Sequence, residues 1–432
     1  MVPAPIGALH GPFGGKFLQS IPIFPILIMM PAKSKIQIVA EPTILFLICA
    51  LILSPLAATA IYMVAKVLPE VERRIPSSWM QKVSLAGMEA IQAPPSLSFD
   101  SVMSARLQSW VSEAFNKRFV GREALVRWTS ELYYRAFNVS TSKSAELVLG
   151  KDDFLFEMMY LKEYFLERPE KEDILKFTRD IAKFQRICES RKIPFTLLLT
   201  PSKASIMPGM APEPWASWYD DRPRSYELLR DSLKRAGIHF VDGHELTKAQ
   251  ISDGVPTFAK GGTHWTTRTA FRSSQEVVNE LIRQGAELKP LTANLAIRMT
   301  PHWSKESSDS DLFDLMNIVT EWTYPCGVAE IDQVESTGKK LRVVLVGGSF
   351  TYMLGRQLRD SNQFSSLPFY FYYKVDFSEF VTGSGAPGPH PLDFERDIFS
   401  ADCIILELNE QIIGKPNHIR AFLKDAFDSV AE

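Results

Sequence analysis

Four short apolar runs constrain this chain most: Phe195–Thr200 (FTLLLT), Arg342–Val346 (RVVLV), Phe369–Tyr373 (FYFYY) and Cys403–Leu408 (CIILEL). Each is apolar at consecutive positions rather than at alternate ones, so each has to be covered on both faces. Between them lie stretches with helical spacing. Asp173–Cys188 carries Ile174, Phe177, Ile181, Phe184 and Ile187 on one stripe; Arg222–Ala236 and Thr267–Arg283 also read as helices, with a short strand at Ile238–Val241. Strands buried on both faces and separated by helices describe an α/β fold, a mainly parallel sheet between helical layers. In such sheets ligands bind beyond the carboxyl ends of the strands, so the chemistry is expected directly after the apolar runs.

The amino-terminal part follows a different rule. From Thr43 to Leu68 only Lys66 is charged over about 26 residues, where about 20 suffice to span a bilayer as a helix. The favoured reading is an uncleaved signal-anchor, because apolar character continues through Ile61, Met63, Val64 and Val67. The alternative is a cleavable signal peptide with Lys33 and Lys35 as its basic region and Ala58-Thr59-Ala60 as the cleavage site. Either way the remainder is exported. Residues 1–42 form a leader, of which 1–29 read as a mis-assigned start ahead of Met29 or Met30. Residues 69–140 form a linker and helical arm, with apolar positions at Leu107, Val111, Phe115, Phe119, Leu125 and Trp128 and a break near Gly121; residues 141–432 form the globular domain.

Lysine plus arginine number 48 and aspartate plus glutamate 50, for a net charge of −2. That balance lacks the basic footprint of a nucleic-acid binder. Four cysteines are too few for a disulfide framework. Cys188 falls on a helix face, Cys326 in a loop after Pro325 and Cys403 in a strand; one bridge among them is open if the domain sits in an oxidising compartment. No cysteine, histidine or carboxylate spacing indicates a metal, and no cofactor motif is present.

Chemistry-bearing residues do follow the apolar runs. Gly347-Gly348-Ser349-Phe350 comes straight after RVVLV, where two glycines allow a tight strand-to-helix turn that exposes the serine oxygen. The first amides of the following helix would face whatever the serine attacks. Gly262-Thr263-His264-Trp265 enters the Thr267 helix and places one of the seven histidines where backbone can position it as a general base. Taken singly, each has a plainer reading: a capping serine, a surface histidine, a packing tryptophan.

Together the two segments resemble the SGNH-hydrolase-like polysaccharide O-acetyltransferases, the AlgJ/AlgX-like family of alginate acetylation. The resemblance rests on His264-Trp265 before a helix and on Gly347-Gly348-Ser349-Phe350 about 85 residues later. Phe115-Asn116-Lys117-Arg118-Phe119 with Gly121-Arg122-Glu123, Gly150–Phe156 (GKDDFLF), Pro201-Ser202-Lys203 and Asp311–Leu315 (DLFDL) occur in the family's order. The resemblance implies a three-layer SGNH-like fold, Ser349 as nucleophile and His264 as its base. It also implies Trp265, Lys203 and Gly348 as substrate-binding positions, a polysaccharide acceptor and a membrane-bound O-acyltransferase that delivers acetyl groups. The protein would sit in the inner membrane by a single span, its catalytic domain in the periplasm.

Two departures matter. The family's D-x-H-W carries Gly262 at the aspartate, and its G-D-S-F carries Gly348. Losing the carboxylate that orients a catalytic imidazole costs about 10⁴ in turnover in the serine-protease case. Asp253, Asp242 and Glu410 are candidate replacements; a Ser–His dyad held by a backbone carbonyl and a silent polysaccharide-binding or assembly component are the other outcomes. A plain acetylesterase is the remaining alternative.

Overall fold

The computed structural model describes residues 122–432 except 143–146, 303–308, 336–337, 388–391 and 432, together with residues 104, 106 and 109. The expected leader, the 43–68 span and the arm segment 115–121 lie outside the described residues. Among the described residues no helix is long and apolar enough to cross a membrane.

The elements run in the order α1 (Arg122–Phe137), β1 (Leu147–Leu149), β2 (Leu155–Glu157), α2 (Met158–Phe165), α3 (Lys171–Ser190) and β3 (Phe195–Thr200). Then come α4 (Lys203–Ile206), α5 (Glu213–Ala216), α6 (Ser225–Arg235), β4 (Phe240–Asp242), α7 (Gly243–Ser252) and α8 (Thr267–Arg283). The chain continues through β5 (Ala293–Pro301), α9 (Asp311–Met316), β6 (Thr323–Ile331), β7 (Leu341–Gly347), α10 (Thr351–Asp360), β8 (Phe364–Ser366) and β9 (Pro368–Phe371). It ends with β10 (Asp376–Glu379), β11 (Ser384–Pro387), β12 (Cys403–Asn409) and α11 (His418–Ala431).

The main sheet has the order β11-β10-β9-β7-β12-β3-β4, with β8 also paired to β7. Its centre is parallel: β12 runs parallel to β3 and β7, β3 to β4, and β7 to β9. The β10 strand reverses against both β9 and β11, which makes the sheet mixed. Alternate side chains of the central strands feed two separate cores. Leu197, Leu199, Val344, Val346, Ile404 and Leu406 meet the apolar stripes of α3, α6 and α11. Leu198, Val343, Leu345, Cys403 and Ile405 meet α8 and α10 through Phe271, Val277, Leu281, Leu354 and Leu358. Runs with apolar residues on both faces are therefore what a sheet covered by helices on both sides requires.

The carboxyl ends of β7, β12 and β3 share one rim of this sheet, and the candidate site is built there. Some local expectations need correction. Cys326 lies in β6, not in a loop, and is buried, as are the free thiols Cys188 and Cys403. The FYFYY strand stops at Phe371, because Tyr372 and Tyr373 turn into the left-handed region at φ 41° and 65°. The antiparallel β5–β6 ribbon, nine residues on each strand, was not foreseen from the sequence; its mixed burial gives it no clear apolar alternation. At the start of the described chain, Glu131 of α1 accepts the Val319 and Thr320 amides at 2.9 Å each, which fastens this helix to the segment after α9.

Candidate active site

The Ser349 turn is a strand-to-helix corner. β7 ends at Gly347 and α10 starts at Thr351, so Gly348-Ser349-Phe350 has to redirect the chain within three residues. The Thr351 amide reaches the Gly348 carbonyl at 3.1 Å and the Tyr352 amide the Ser349 carbonyl at 3.2 Å. Beneath the corner lies Glu407 of β12, fully buried. Its Oε2 accepts the Gly348 amide at 2.6 Å and the Thr351 hydroxyl at 3.1 Å, while Oε1 accepts the Thr200 hydroxyl from β3. The carboxylate thereby ties three neighbouring strand ends to the turn. A side chain at position 348 would bring its Cβ to 3.0 Å from Tyr372 Cε1, so that ring would have to give by a few tenths of an ångström.

The base loop precedes α8. Trp265 pairs with Phe258 in an isolated bridge and is completely buried, packed edge-on against Phe350 with ring centroids 5.4 Å apart. This packing holds the residue before it at the rim. His264 Nε2 stands 2.7 Å from Ser349 Oγ, and Nδ1 stands 2.7 Å from Asp309 Oδ2. The carboxylate can only accept, so Nδ1 carries the proton and Nε2 is left as acceptor for the serine hydroxyl. The His264 amide donates to the same Asp309 oxygen at 2.7 Å. Two segments 85 residues apart are thus joined as alcohol, imidazole and carboxylate.

Asp309 answers the question of the missing acid, and it is none of the three candidates. Asp242 caps α7 and accepts the Tyr226 hydroxyl at 2.8 Å; Asp253 is the exposed C-cap of α7; Glu410 pairs with His244 Nδ1 at 2.9 Å. The expected dyad held by a backbone carbonyl is likewise replaced. A Cβ placed on Gly262 would fall 2.5 Å from Asp309 Cβ and 2.6 Å from its Cγ. The carboxylate thus enters, from a distant part of the chain, the space that a side chain at 262 would fill. Nothing in Asp309-Ser310-Asp311 distinguishes it in the sequence from an ordinary helix-capping cluster before α9.

Further carboxylates crowd the base. Asp311 Oδ1 accepts the Thr263 amide at 2.9 Å and Glu157 Oε1 accepts the Thr263 hydroxyl at 2.8 Å. Burial by itself would lower the His264 pKa, but the hydrogen bond and charge of Asp309, with Asp311 and Glu157 behind it, carry it above the ordinary imidazole value. Burial would raise Asp309, yet its bonds to the imidazole and to the amides of His264 and Asp311 keep it below the usual carboxylate range. Asp311, buried beside that charge, is pushed up to about 6. Among the described residues, His264, Asp309 and Asp311 offer ligand atoms within 4.8 Å of one another. His264 Nδ1 and Asp309 Oδ2 already bond each other, so a cation bound there would displace the bond that orients the imidazole.

The structure brings Ser349 and His264 together and buries the three expected substrate-binding residues. Trp265 is core. Gly348 is buried with its amide committed to Glu407. Lys203 is 4% exposed, its ammonium turned towards backbone carbonyls, so it cannot meet a substrate directly. Asp309 and Glu407 were missed, as was Tyr372, whose phenol is within interaction range of the Ser349 hydroxyl and amide.

Residues 147–361 match the family model for the SGNH hydrolase-like domain of the acetyltransferase AlgX. This region belongs to the AlgX family. No curated protein matches the chain. Similar solved structures include the O-acetyltransferase domain of Pseudomonas putida AlgJ (16% identity, 65% of this chain and 99% of that one, TM-score 0.42). Pseudomonas aeruginosa AlgX is 16% identical over 61% of this chain and 62% of its own (TM-score 0.38), and Bacillus cereus PatB1 10% identical over 63% and 98% (TM-score 0.40). The family match, with the sheet described above, makes this an SGNH-hydrolase-like α/β domain with a mixed sheet.

Proposed function

We propose that this protein is a serine-dependent O-acetyltransferase that carries acetyl as a Ser349 ester and passes it to hydroxyls of an extracellular polysaccharide. The observation that carries the reading is the Ser349–His264–Asp309 array, with both heteroatom distances at 2.7 Å. A serine hydroxyl is a weak nucleophile until a neighbouring base takes its proton. In the first half-reaction His264 Nε2 removes that proton as Oγ bonds to the donor's carbonyl carbon. The bond to the donor's leaving group then breaks and the imidazolium protonates that group. In the second, a sugar hydroxyl gives its proton to Nε2 and attacks the ester carbon, and Ser349 leaves and recovers the proton. Asp309 stabilises the imidazolium in both. The Ser349 amide, just ahead of α10 and within range of the Tyr372 phenol, is the donor this reading assigns to the tetrahedral oxyanion.

The apolar 43–68 stretch supports a single-span protein of the inner membrane with this domain in the periplasm. Acetyl groups would come from a membrane-bound O-acyltransferase.

The test is acetyl on Ser349. The full-length protein is incubated with p-nitrophenyl acetate and digested for mass spectrometry beside Ser349→Ala and His264→Ala. The expected result is an acetylated Ser349 peptide in the wild type only, discharged faster when acidic oligosaccharide is added. No adduct and no rate difference among the three proteins would sink the reading in favour of a silent binding or assembly component. An adduct that water discharges equally fast without oligosaccharide would leave an acetylesterase.

A further inference from the structure

Lys203 is a buried cation whose hydrogen-bond partners are carbonyl oxygens. It begins α4, just beyond the carboxyl end of β3, and its Nζ donates to Leu155 O at 3.0 Å, Ala259 O at 2.7 Å, Lys260 O at 3.3 Å and Gly262 O. Three of the four carbonyls belong to the segment that leads into His264, and the fourth to β2, whose Leu155 amide in turn donates to Lys260 O at 2.9 Å. An ammonium has three protons, so it shares them among four oxygens as a spherical ion would. Carbonyl rings of this kind replace the hydration shell of a monovalent cation. Without a cation, the four dipoles would converge on one another in a dry interior.

We propose that Leu155 O, Ala259 O, Lys260 O and Gly262 O form a monovalent-cation site whose resident ion is the Lys203 ammonium. That charge holds the His264 loop in register with Ser349. Lys203 is a positioning residue in this account: it touches neither the imidazole nor the serine, and it acts through the carbonyl of Gly262, two residues before the base. It also offsets charge. Asp309, Asp311 and Glu157 all act on it through space. Desolvation pulls its pKa down to about 8, with those three carboxylates acting the other way, so it remains largely protonated at neutral pH.

The cation-site part stands independently of the proposed chemistry, whereas the kinetic part rests on Ser349 being the nucleophile. The full-length Lys203→Ala and Lys203→Met variants are compared with wild type in ammonium chloride and in choline chloride of equal ionic strength. Melting temperature and p-nitrophenol release are both read. Truncation to alanine opens a space for a free ammonium ion; methionine fills it with a neutral chain. Ammonium is expected to raise the melting temperature of Lys203→Ala by about 3 °C or more and leave wild type and Lys203→Met unmoved. The release rate of Lys203→Ala in choline should fall about 10²-fold, the scale of a small misplacement of a catalytic group, and ammonium should return at least about tenfold of it. Lys203→Met should stay slow in both salts.

In Lys203→Met the acid limb of the rate profile should also move to higher pH. The carboxylates around His264 (Asp309, Asp311, Glu157 and, through space, Glu407) would then act without the opposing charge. A Lys203→Ala protein for which ammonium and choline are indistinguishable in both measurements overturns the proposal. So does a Lys203→Met protein with the wild-type rate, which decides the matter if the alanine variant does not fold. Should wild type itself carry no acetyl on Ser349, the melting measurement still tests the cation site.

Discussion

The two loops that meet at this site are held by opposite charges. The nucleophile turn is the start of a helix, so the groups it leaves unpaired are amides and a hydroxyl; Glu407 accepts from Gly348 and Thr351 and is itself fixed by Thr200. The base loop is irregular chain before a helix, and the groups it turns inward are carbonyls; Lys203 donates to three of them. Both charges stand at the rim where β3 and β12 end, and both are buried. Each loop takes the charge that complements the backbone polarity it presents, because a buried dipole without a partner costs on the order of 1–3 kcal/mol. The comparison separates placing a reactive atom from tuning it. Glu407 and Lys203 hold the loops, Lys203 with a through-space charge as well, whereas Asp309 bonds the imidazole itself.

The largest expected effect comes from removing that third group. Asp309→Ala should lower the rate of Ser349 acetylation by about 10⁴-fold, or about 5 kcal/mol, since Asp309 is the acceptor that orients the Nδ1 proton. Because Gly262 faces the same carboxylate, Gly262→Asp alone should also be impaired by crowding. Joining it to Asp309→Gly should recover at least about tenfold over Asp309→Ala. A double variant no better than the single would show that the carboxylate's place of attachment, and not merely its presence, matters.

A smaller effect sharpens the contrast between the loops. Burial raises the Glu407 pKa, with its hydrogen bonds partly opposing, and its contacts with Gly348 and Thr351 are hydrogen bonds that a neutral acceptor can also take, which lets charge and acceptor be tested apart. Glu407→Ala should cost about 10²-fold in acetylation rate, whereas Glu407→Gln should stay within about fivefold. The amide oxygen can serve Gly348 and Thr351 while its nitrogen donates to the Thr200 hydroxyl. A glutamine variant as slow as the alanine one would mean that the turn requires the anion after all, and the asymmetry with Lys203 would vanish.

The smallest effect is one of pH. His264 must be neutral to act as base, and its pKa lies above the ordinary imidazole value. Acetylation should therefore fall as the pH drops through a point higher than a free imidazole would give. Asp309→Asn removes the stabilising charge, so the remaining activity should have its acid limb at lower pH. An unmoved limb would detach the titration from this pair.

Much of the fold was legible because it rests on local pattern. FTLLLT occupies β3 without adjustment, and Thr267–Arg283 is a helix over the range its spacing indicates. Ser349 and His264 were legible for a related reason: each sits at a strand-to-helix or loop-to-helix boundary that the sequence marks with glycines or with an apolar anchor such as Trp265. The substrate-binding expectations for Trp265 and Lys203 failed on burial, which adjacency to a catalytic motif does not reveal. Asp309 was hidden because it lies 45 residues from His264 in a polar run with no periodicity. Glu407 was hidden inside an apolar strand, where its hydrogen-bond partners come from two other strand ends.

Sequence alone, then, established the layered α/β core and singled out Ser349 and His264, since apolar periodicity and turn chemistry act between near neighbours. Which carboxylate completes the array was decided by tertiary structure, and so was the sign of the charge beneath each loop. Electrostatic interactions between buried groups depend on distance and dehydration in space, and the folded chain sets both without regard to separation along the sequence.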